Sequence, residues 1–535
     1  MSDERVEALA SASALRARDS INPDAGDLGG RSLRGGAVTM ASQVVKLGLT
    51  LGSTAVLARL LTPAEFGLVA MVTTVTGFAA LFRDLGLSAA TVQRRDVTHE
   101  QISGLFWVNV VVSFVLALVI ALLSPVIAWF YDEPRLRSIA LLLSATFVLG
   151  GLTAQHQALM GRRMRFGSLA AIDVGTLTVG ATVGVVLAWS GASYWSIVGM
   201  AIAGSVTNCA LVWALSGWRP SRPVRGAGIR PLLTFGGHVT GFNLANYFAR
   251  NIDNVLLGWW WGSTAVGLYS KAYQLLMFPI SQINVPISSV MLPALSRLQD
   301  DPGRYKSYYF GGLRLLAMLG MPLVVLCYVA TEEIIRLGLG PGWTGSVPIF
   351  RALAPGAFVG TLNVASGWVY LSLGRTDRML RWALIGVPIV VMALALGAPF
   401  GALGVAVGCS VGLCLSWGLG VAYCYQGTFL SLTELFRAVW LPAAASIGAG
   451  AAAILVGSLT QGPATVEKVL TFLLVLGLAW GVLPGGRAWL RQCGRAVKGP
   501  SWAEAIAVSA PNLPGGRTHG GGTHAGPEGR DDGTS

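Results

Sequence analysis

Apolar runs of membrane-spanning length recur along most of the chain, with short polar turns between them. A hydrocarbon core about 30 Å thick needs roughly 20 consecutive apolar residues in an α-helix. We therefore predict an all-α polytopic membrane protein with fourteen transmembrane helices. The predicted spans are residues 36–61, 64–90, 103–131, 136–158, 166–189, 193–216, 232–258, 263–294, 309–331, 345–373, 379–398, 401–425, 437–458 and 467–486.

Basic residues are distributed unevenly over the loops between these spans. Loops on the cytoplasmic side of a membrane protein are enriched in Lys and Arg. The predicted outer loops contain Arg59, Arg135, Arg137, Arg336 and Lys468, whereas the inner loops contain Arg94, Arg95, Arg162, Arg163, Arg165, Arg219, Arg222, Arg225, Arg230, Arg297, Arg304, Lys306, Arg375, Arg378, Arg381 and Arg437. This alternation predicts that both ends of the chain are cytoplasmic.

An internal repeat relates the two halves of the chain. FGLVA at 66–70 matches VGLYS at 266–270, an offset of 200 residues, and GASYWSIVG at 191–199 matches GALGVAVG at 401–408. Each unit holds six predicted helices, an even number, so both units have the same orientation and the substrate is expected between them. We predict two parallel six-helix lobes around a central cavity, followed by two accessory helices.

This repeat divides the chain into six predicted parts. They are a flexible cytoplasmic tail (1–34), a first lobe (35–218), a cytoplasmic linker (219–231), a second lobe (232–426), two accessory helices (427–490), and a basic flank with a disordered cytoplasmic tail (491–535). The first 30 residues lack the apolar stretch of a signal peptide. In the final tail, His519 and His524 leave a metal site as a minor alternative to plain disorder.

Composition excludes several classes of protein. Hydrophobic residues make up 53% of the chain and charged residues 12%, with a mean hydropathy of +0.62, whereas soluble domains carry about 25% charged residues. The net charge of +13 is spread over the loops, which argues against nucleic-acid binding. The cysteines form no CxxC pair, so neither a disulfide framework nor a metal site is expected. No ATP-binding GxxxxGK[ST] motif occurs, and we expect no cofactor.

A polar stripe runs along the seventh predicted span, within otherwise apolar sequence. Asn243, Asn246, Arg250 and the pair Asp253 and Asn254 recur at helical spacing and share one face. A charged side chain at the centre of a bilayer costs at least about 2.5–3.5 kcal/mol. The stripe is therefore expected to face protein or water rather than lipid.

Further polar groups occur in three other parts of the predicted spans. The first span carries its own polar stripe with one cation, made of Thr39, Gln43, Lys46, Thr50, Ser53 and Thr54. The eighth span begins with a cation among two tyrosines and a glutamine, namely Tyr269, Lys271, Tyr273 and Gln274. The second span ends in the pair Arg83 and Asp84.

Cations exceed acids within the predicted spans. The cations are Lys46, Arg83, Arg250, Lys271, Arg314 and Arg351, and the acids are Asp84, Asp173 and Asp253. Pairing among these groups, such as Arg250 with Asp253, is the structural alternative. Pairing alone needs equal numbers, so the surplus favours an anionic ligand such as a phosphate or pyrophosphate.

The predicted site therefore has three groups of residues, and we predict no catalytic or metal-binding residues. Lys46, Arg83, Arg250 and Lys271 are predicted to bind phosphate; Gln43, Asn243, Asn246, Asn254, Tyr273 and Gln274 to line a polar cavity for a glycan; and Asp253 and Asp84 to couple transport to an ion.

Five motifs occur in order: LARLLTPAEFGLVAM (57–71), FRDLGLSAATVQRRDVTHEQISGLFWVN (82–109), NYFARNIDNVLLG (246–258), GLYSKAYQL (267–275) and PALSRLQDDPGRY (293–305). They resemble the polysaccharide-biosynthesis branch of the MOP flippase superfamily, and within it the lipopolysaccharide and colanic-acid exporter type. The resemblance implies two six-helix lobes in a V and transport of a lipid-linked oligosaccharide by alternating access in a bacterial inner membrane. It also implies membrane lipids, a coupling ion of unknown identity and glycan polymerases or glycosyltransferases as partners.

Two other functions remain alternatives. A drug or cation antiporter of the same superfamily would favour an acidic cavity, which the surplus of cations opposes. A membrane glycosyltransferase, glycan polymerase or ligase would need catalytic acids or a metal motif on a sizeable outer loop. The longest predicted outer loop offers Glu332, Glu333 and Arg336, which we interpret as a solvated helix end.

Overall fold

A computed structural model describes the backbone of residues 28–84, 87–88, 91, 97–222, 230–459 and 464–482. Within these ranges, the side chains of residues 28–37, 84, 230–246, 248–250, 464–465 and 482 are not among those described.

The first half of the described chain is a series of long helices. They are α1 (Leu28–Leu60), α2 (Pro63–Asp84), α3 (His99–Phe130), α4 (Arg135–Arg162), α5 (Phe166–Trp189) and α6 (Trp195–Leu215). The helices begin at recognisable local signals: the Thr98 hydroxyl accepts from the Gln101 N–H, and the Gln101 side chain accepts from the Thr98 N–H. This reciprocal capping satisfies two backbone N–H groups at the start of α3.

The second half continues in the same way. Its helices are α7 (Arg230–Arg297), α8 (Pro302–Val329), the short α9 (Thr331–Gly338), α10 (Ser346–Gly360), α11 (Asn363–Ser372), α12 (Thr376–Gly397), α13 (Gly401–Tyr425), α14 (Leu432–Leu459) and α15 (Ala464–Val482), with 3-10 turns at Pro341–Trp343 and Ala398–Phe400. Gly262 breaks α7 with φ 71° and ψ −170°, a conformation that glycine adopts most easily. This break lies between the seventh and eighth predicted spans.

Eleven segments of the described chain are long and apolar enough to cross a membrane. One of them, Asn251–Arg297, extends over the break at Gly262, and another, Thr376–Tyr425, contains both α12 and α13. The prediction of a nearly all-helical, multi-pass membrane protein is therefore confirmed. The count of fourteen helices stays a prediction.

The tenth predicted span is divided. Residues 345–373 were expected to form one helix, but α10 ends at Gly360 and α11 begins at Asn363. Thr361 and Leu362 keep right-handed helical φ and ψ, but the Leu362 N–H donates to the Val359 carbonyl oxygen three residues back, as in a 3-10 turn. The apolar run remains one segment of membrane-spanning length, Ser346–Ser372, with this tighter turn inside it.

Helices pack mainly against others of the same half of the chain. Helix α3 packs on α4, α5 on α6 and α1 on α5, while α12 packs on α13, α13 on α10, and α8 on α14. The extensive contact between the halves is made by α2 against α7. A large apolar core surrounds this contact and includes buried residues of both halves, among them Leu68, Met71, Leu257 and Leu276.

Candidate functional site

Two glycines make a reciprocal contact where α2 meets α7. A Cβ added to Gly67 would overlap the Ser263 carbonyl oxygen, and a Cβ added to Gly267 would overlap the Pro63 carbonyl oxygen. The added Cβ of Gly67 would also lie 3.0 Å from the Gly267 nitrogen. Residues 63 and 67 thus meet 263 and 267, the positions that the predicted 200-residue repeat relates. Such exchange of equivalent contacts is what a twofold axis produces.

A buried tryptophan covers one side of this contact. The Trp343 indole N–H donates to the Ala58 carbonyl oxygen at 2.7 Å, and its ring packs edge-on against Phe66 with 5.3 Å between centroids. Trp343 lies in the 3-10 turn after α9 and is 1% exposed. The predicted outer loop therefore contributes a side chain to the core, although Glu332 and Arg336 beside it are exposed.

A central cavity of about 440 Å³ lies beside the glycine contact, between α1, α2, α5, α6 and α7. Hydroxyl and amide groups make up much of its wall, and among the described lining residues only Lys271 is charged. Its polar lining consists of Thr50, Ser53, Thr54, Thr73, Thr74, Asn251, Asn254, Ser270, Lys271 and Gln274.

Lys271 is held at the wall of the central cavity by two contacts. Its ammonium donates to the Gln274 side-chain oxygen at 3.0 Å and lies 4.5 Å from the centre of the Phe66 ring. Both partners are uncharged, so they orient the cation without neutralising it. Lys271, Gln274 and Asn254, three of the predicted site residues, all line this cavity.

Lys46 has a carboxylate partner that the sequence did not reveal. Its ammonium lies 2.7 Å from Asp173 Oδ2 on α5, and both side chains are partly exposed. A phosphate at Lys46 would compete with this carboxylate. Gln43, three residues earlier, is exposed and lies outside the lining of the central cavity.

Asp253 is buried in the core next to the central cavity. Its Oδ2 accepts from the Tyr269 hydroxyl at 2.9 Å and its Oδ1 from the Asn254 N–H at 2.8 Å. Tyr273, predicted to bind glycan, stacks on Tyr269 with 6.2 Å between centroids and packs against the core. Asp253 and Tyr273 are thus close to the cavity but do not line it.

Arg83 lines a second space, which we call the side cavity. It has a volume of about 570 Å³ and lies between α2, α4, α5 and α6. The side cavity and the central cavity share the lining residues Leu177, Ile197 and Met200, so they adjoin each other. Arg83 and Lys271 therefore line two neighbouring cavities with part of their walls in common.

The prediction missed the polar groups of the side cavity other than Arg83. The Gln157 amide donates to Asn208 Oδ1 at 3.3 Å, and the Asn208 amide donates to Thr176 Oγ1 at 3.5 Å. Each residue is an amide within an apolar span, which can indicate a polar site. However, no second amide lies at helical spacing from Gln157 or from Asn208, so neither forms a polar stripe in the sequence. The two meet only through the packing of α4 on α6.

Several predicted residues lie outside the described side chains: Asn243, Asn246, Arg250 and Asp84. His519 and His524 also lie outside the described residues. Of the other cations, Arg351 pairs with Glu332 at 3.0 Å, so the ion pair reduces the predicted surplus there. Phosphate binding at Lys46, Arg83, Arg250 and Lys271 stays a prediction.

Long apolar helices around a polar interior cavity define a membrane transporter. A family model described as polysaccharide biosynthesis protein matches residues 56–348, more than half of the chain. The chain belongs to this family.

Two relatives are similar over most of the chain. The lipopolysaccharide biosynthesis protein WzxC of Escherichia coli (strain K12) is 25% identical over 385 residues, 71% of this chain and 77% of that protein. The succinoglycan biosynthesis transport protein ExoT of Rhizobium meliloti (strain 1021) is 25% identical over 371 residues, 68% of this chain and 74% of that protein. The sequence-based resemblance is confirmed.

Two solved structures have the same fold. The lipid II flippase MurJ, in an inward closed conformation, superposes with a TM-score of 0.68 at 13% identity, over 84% of this chain and 98% of that chain. A multidrug resistance MATE family transporter of the MOP superfamily gives a TM-score of 0.57 at 14% identity, over 72% of this chain and 97% of that one. Both comparisons place the chain in the fold of the MOP superfamily.

Proposed function

We propose that this chain translocates an undecaprenyl-pyrophosphate-linked oligosaccharide across a bacterial inner membrane for the synthesis of a cell-surface polysaccharide. The observation that carries the proposal is the central cavity, where Lys271 is the one charged residue among the described lining groups and hydroxyls and amides surround it. A cation in a low-dielectric interior favours an anionic ligand, and the surrounding polar groups suit sugar hydroxyls. The polysaccharide roles named for WzxC and ExoT support the same conclusion.

Alternating access is the mechanism that this fold favours. We propose two six-helix lobes, fourteen spans in all, with both termini cytoplasmic and the cavity between the lobes open to one side at a time. The reciprocal glycine contact supports a parallel repeat, because equivalent residues of the two halves meet there. In this arrangement the contact between α2 and α7 closes the outer side. Glycan polymerases or glycosyltransferases would then act before or after the transport step.

We propose that Asp253 couples transport to an ion. It is a buried acid, one helical turn from Arg250 and hydrogen-bonded to Tyr269. Protonation or cation binding there would alter the field at the cavity, and linkage requires substrate binding to respond. The structural alternative is that Asp253 only fixes Tyr269 in the core.

Asp253→Asn separates these two roles, because it keeps the shape and most hydrogen bonds but removes the charge. A coupling role predicts a folded protein whose transport no longer responds to an imposed proton or sodium gradient. Tyr269→Phe is the control, since it removes the hydrogen bond between Tyr269 and Asp253 and keeps the acid. If Asp253→Asn folds and still responds to the gradient, Asp253 is structural only.

A drug or cation antiporter is the second candidate, supported by the MATE-like fold alone. It predicts acidic lining groups, whereas the described lining of the central cavity contains a lysine and no acid. A glycosyltransferase, polymerase or ligase would change covalent bonds in its substrate. The family and fold are those of transporters, so we propose that the chain makes no covalent change.

Purified protein in liposomes tests all three functions. Fluorescent undecaprenyl-pyrophosphate oligosaccharide is placed in one leaflet, and its arrival in the other is followed by a membrane-impermeant quencher. We expect transfer of intact lipid at a rate at least tenfold above protein-free vesicles. A cleaved or extended glycan would indicate an enzyme, and transport of a cationic dye without lipid transfer would indicate an antiporter.

A further inference from the structure

The side cavity has the size and position of a ligand site. Its volume of about 570 Å³ lies within the range of roughly 300–1,000 Å³ found for small-molecule pockets. It joins the central cavity along Leu177, Ile197 and Met200. The side cavity is therefore the space next to a ligand whose phosphate lies at Lys271.

Polar, uncharged groups supply most of the chemistry of the side cavity. Gln157 and Asn208 face one another from α4 and α6, and hydroxyls of Thr146, Thr153, Thr176 and Ser205 surround them. Arg83 is the one charged group among the described lining residues. Amide groups that can both donate and accept match the vicinal hydroxyls of a sugar ring, which do the same.

The two amides use only part of their hydrogen-bonding capacity within the described chain. Gln157 makes one bond, to Asn208 at 3.3 Å, and Asn208 makes one more, to Thr176 at 3.5 Å. A side-chain amide offers two N–H donors and an oxygen with two lone pairs. Polar groups inside a membrane protein are costly without partners. The remaining positions are therefore suited to a hydroxylated ligand.

Glycines allow close packing around this cavity. Gly150, Gly180 and Gly204 line it, and a Cβ on Gly180 would lie 3.0 Å from the Met200 carbonyl oxygen of α6. A Cβ on Gly150 would overlap the Arg83 guanidinium. A larger residue at Gly180 would therefore push α5 away from α6, and one at Gly150 would displace Arg83.

We propose that the side cavity is a sugar subsite, which binds the ring nearest the pyrophosphate of the lipid-linked substrate. The proposal rests on the function proposed above and adds the place where sugar is recognised. Gln157 and Asn208 bind ring hydroxyls, and Arg83 gives the site a positive field. The subsite therefore accepts neutral or acidic sugars and disfavours sugars with a free amine.

Binding measurements on the purified full chain test this proposal. The probes are undecaprenyl pyrophosphate and the same lipid carrying a single glucose, galactose or N-acetylglucosamine. We expect at least one sugar-bearing lipid to bind the wild type more tightly than the bare lipid. Asn208→Leu and Gln157→Leu should each weaken its binding by about 3- to 10-fold, the loss of one or two neutral hydrogen bonds. Binding of the bare lipid should stay unchanged.

Two hydroxyl variants on one helix provide a matched control. Thr176 lines the side cavity, whereas Thr178, on the same helix, is exposed and donates to the Val174 carbonyl oxygen. Thr176→Val should weaken binding of the sugar-bearing lipid and leave binding of the bare lipid unchanged, whereas Thr178→Val should change neither. Ser205→Leu, which narrows the cavity, should act as Thr176→Val does if the variant of Asn208 fails to fold.

These binding measurements test the sugar subsite separately from the proposed transport function on which it rests. A wild type that binds bare and sugar-bearing lipids equally overturns the subsite and leaves lipid transport intact. The subsite is also overturned if the Asn208 and Gln157 variants lose affinity equally for the bare and the sugar-bearing lipid, because that result indicates a general structural role. A wild type that binds none of these lipids overturns the proposed function and the subsite together.

Discussion

Replacement of Lys271 by glutamine is expected to reduce transport of lipid-linked glycan to the level of protein-free vesicles. Lys271 is the charged group among the described residues of the central cavity, and its partners Gln274 and Phe66 are uncharged. A hydrogen bond to a charged group contributes about 1.5–3 kcal/mol, so affinity for the pyrophosphate should fall by at least about tenfold. Binding of undecaprenyl pyrophosphate and leaflet transfer measure the two effects.

The matched control for this charge removal is Lys306→Gln. Lys306 lies in α8, pairs with Glu434 at 3.2 Å and does not line the central cavity. Its loss should cost no more than about 1 kcal/mol and leave transport near normal. Lys271→Arg keeps the charge and should restore part of the activity. Normal transport by a well-expressed Lys271→Gln protein would show that phosphate binds elsewhere.

A single methyl group at Gly67 is expected to reduce the transport rate at least tenfold while leaving insertion into the membrane intact. The added Cβ of Gly67→Ala would overlap the backbone of Ser263, and backbone cannot move aside as a side chain can. Overpacking of this kind costs about 1–3 kcal/mol, although alanine is otherwise the better helix former. We expect a lower thermal midpoint and at least a tenfold loss of transport rate. Gly267→Ala should behave in the same way, since its contact is reciprocal.

Gly52→Ala provides the comparison. Gly52 lies in α1, is exposed, and a Cβ there would meet nothing within 4 Å. This variant should be as stable as the wild type or slightly more stable, and it should transport normally. The prediction fails if Gly67→Ala matches Gly52→Ala in both thermal midpoint and transport rate.

The helices could be predicted from the sequence because their length is set by the bilayer. Helix α5 occupies the predicted residues 166–189 and α13 the predicted residues 401–425. The tighter turn at residues 361–362 could not be predicted, since hydropathy does not distinguish a backbone hydrogen bond to the third residue back from one to the fourth. Hydropathy averaged over about 20 residues does not reveal a change within one turn of a helix.

The site was predictable only where its residues lie close together in sequence. Lys271 and Gln274 are three residues apart on one helix, so helical spacing identified them as neighbours. Lys46 and Asp173 are 127 residues apart, and Gln157 and Asn208 are 51 apart. Their meeting depends on how the helices pack, which hydrophobic patterning does not specify. The prediction therefore counted Lys46 and Asp173 without pairing them, and the structure joins them in an ion pair.

The glycine contact between α2 and α7 has a mechanical consequence. Neither helix has a side chain at Gly67 and Gly267, so no rotamer has to change at these two positions when the crossing angle changes. The backbone contact at Gly67 and Gly267 can therefore act as a pivot between α2 and α7. When two rigid halves rotate about such a pivot, the interior opens at one end as it closes at the other. A small rotation at the contact then produces a large displacement far from it.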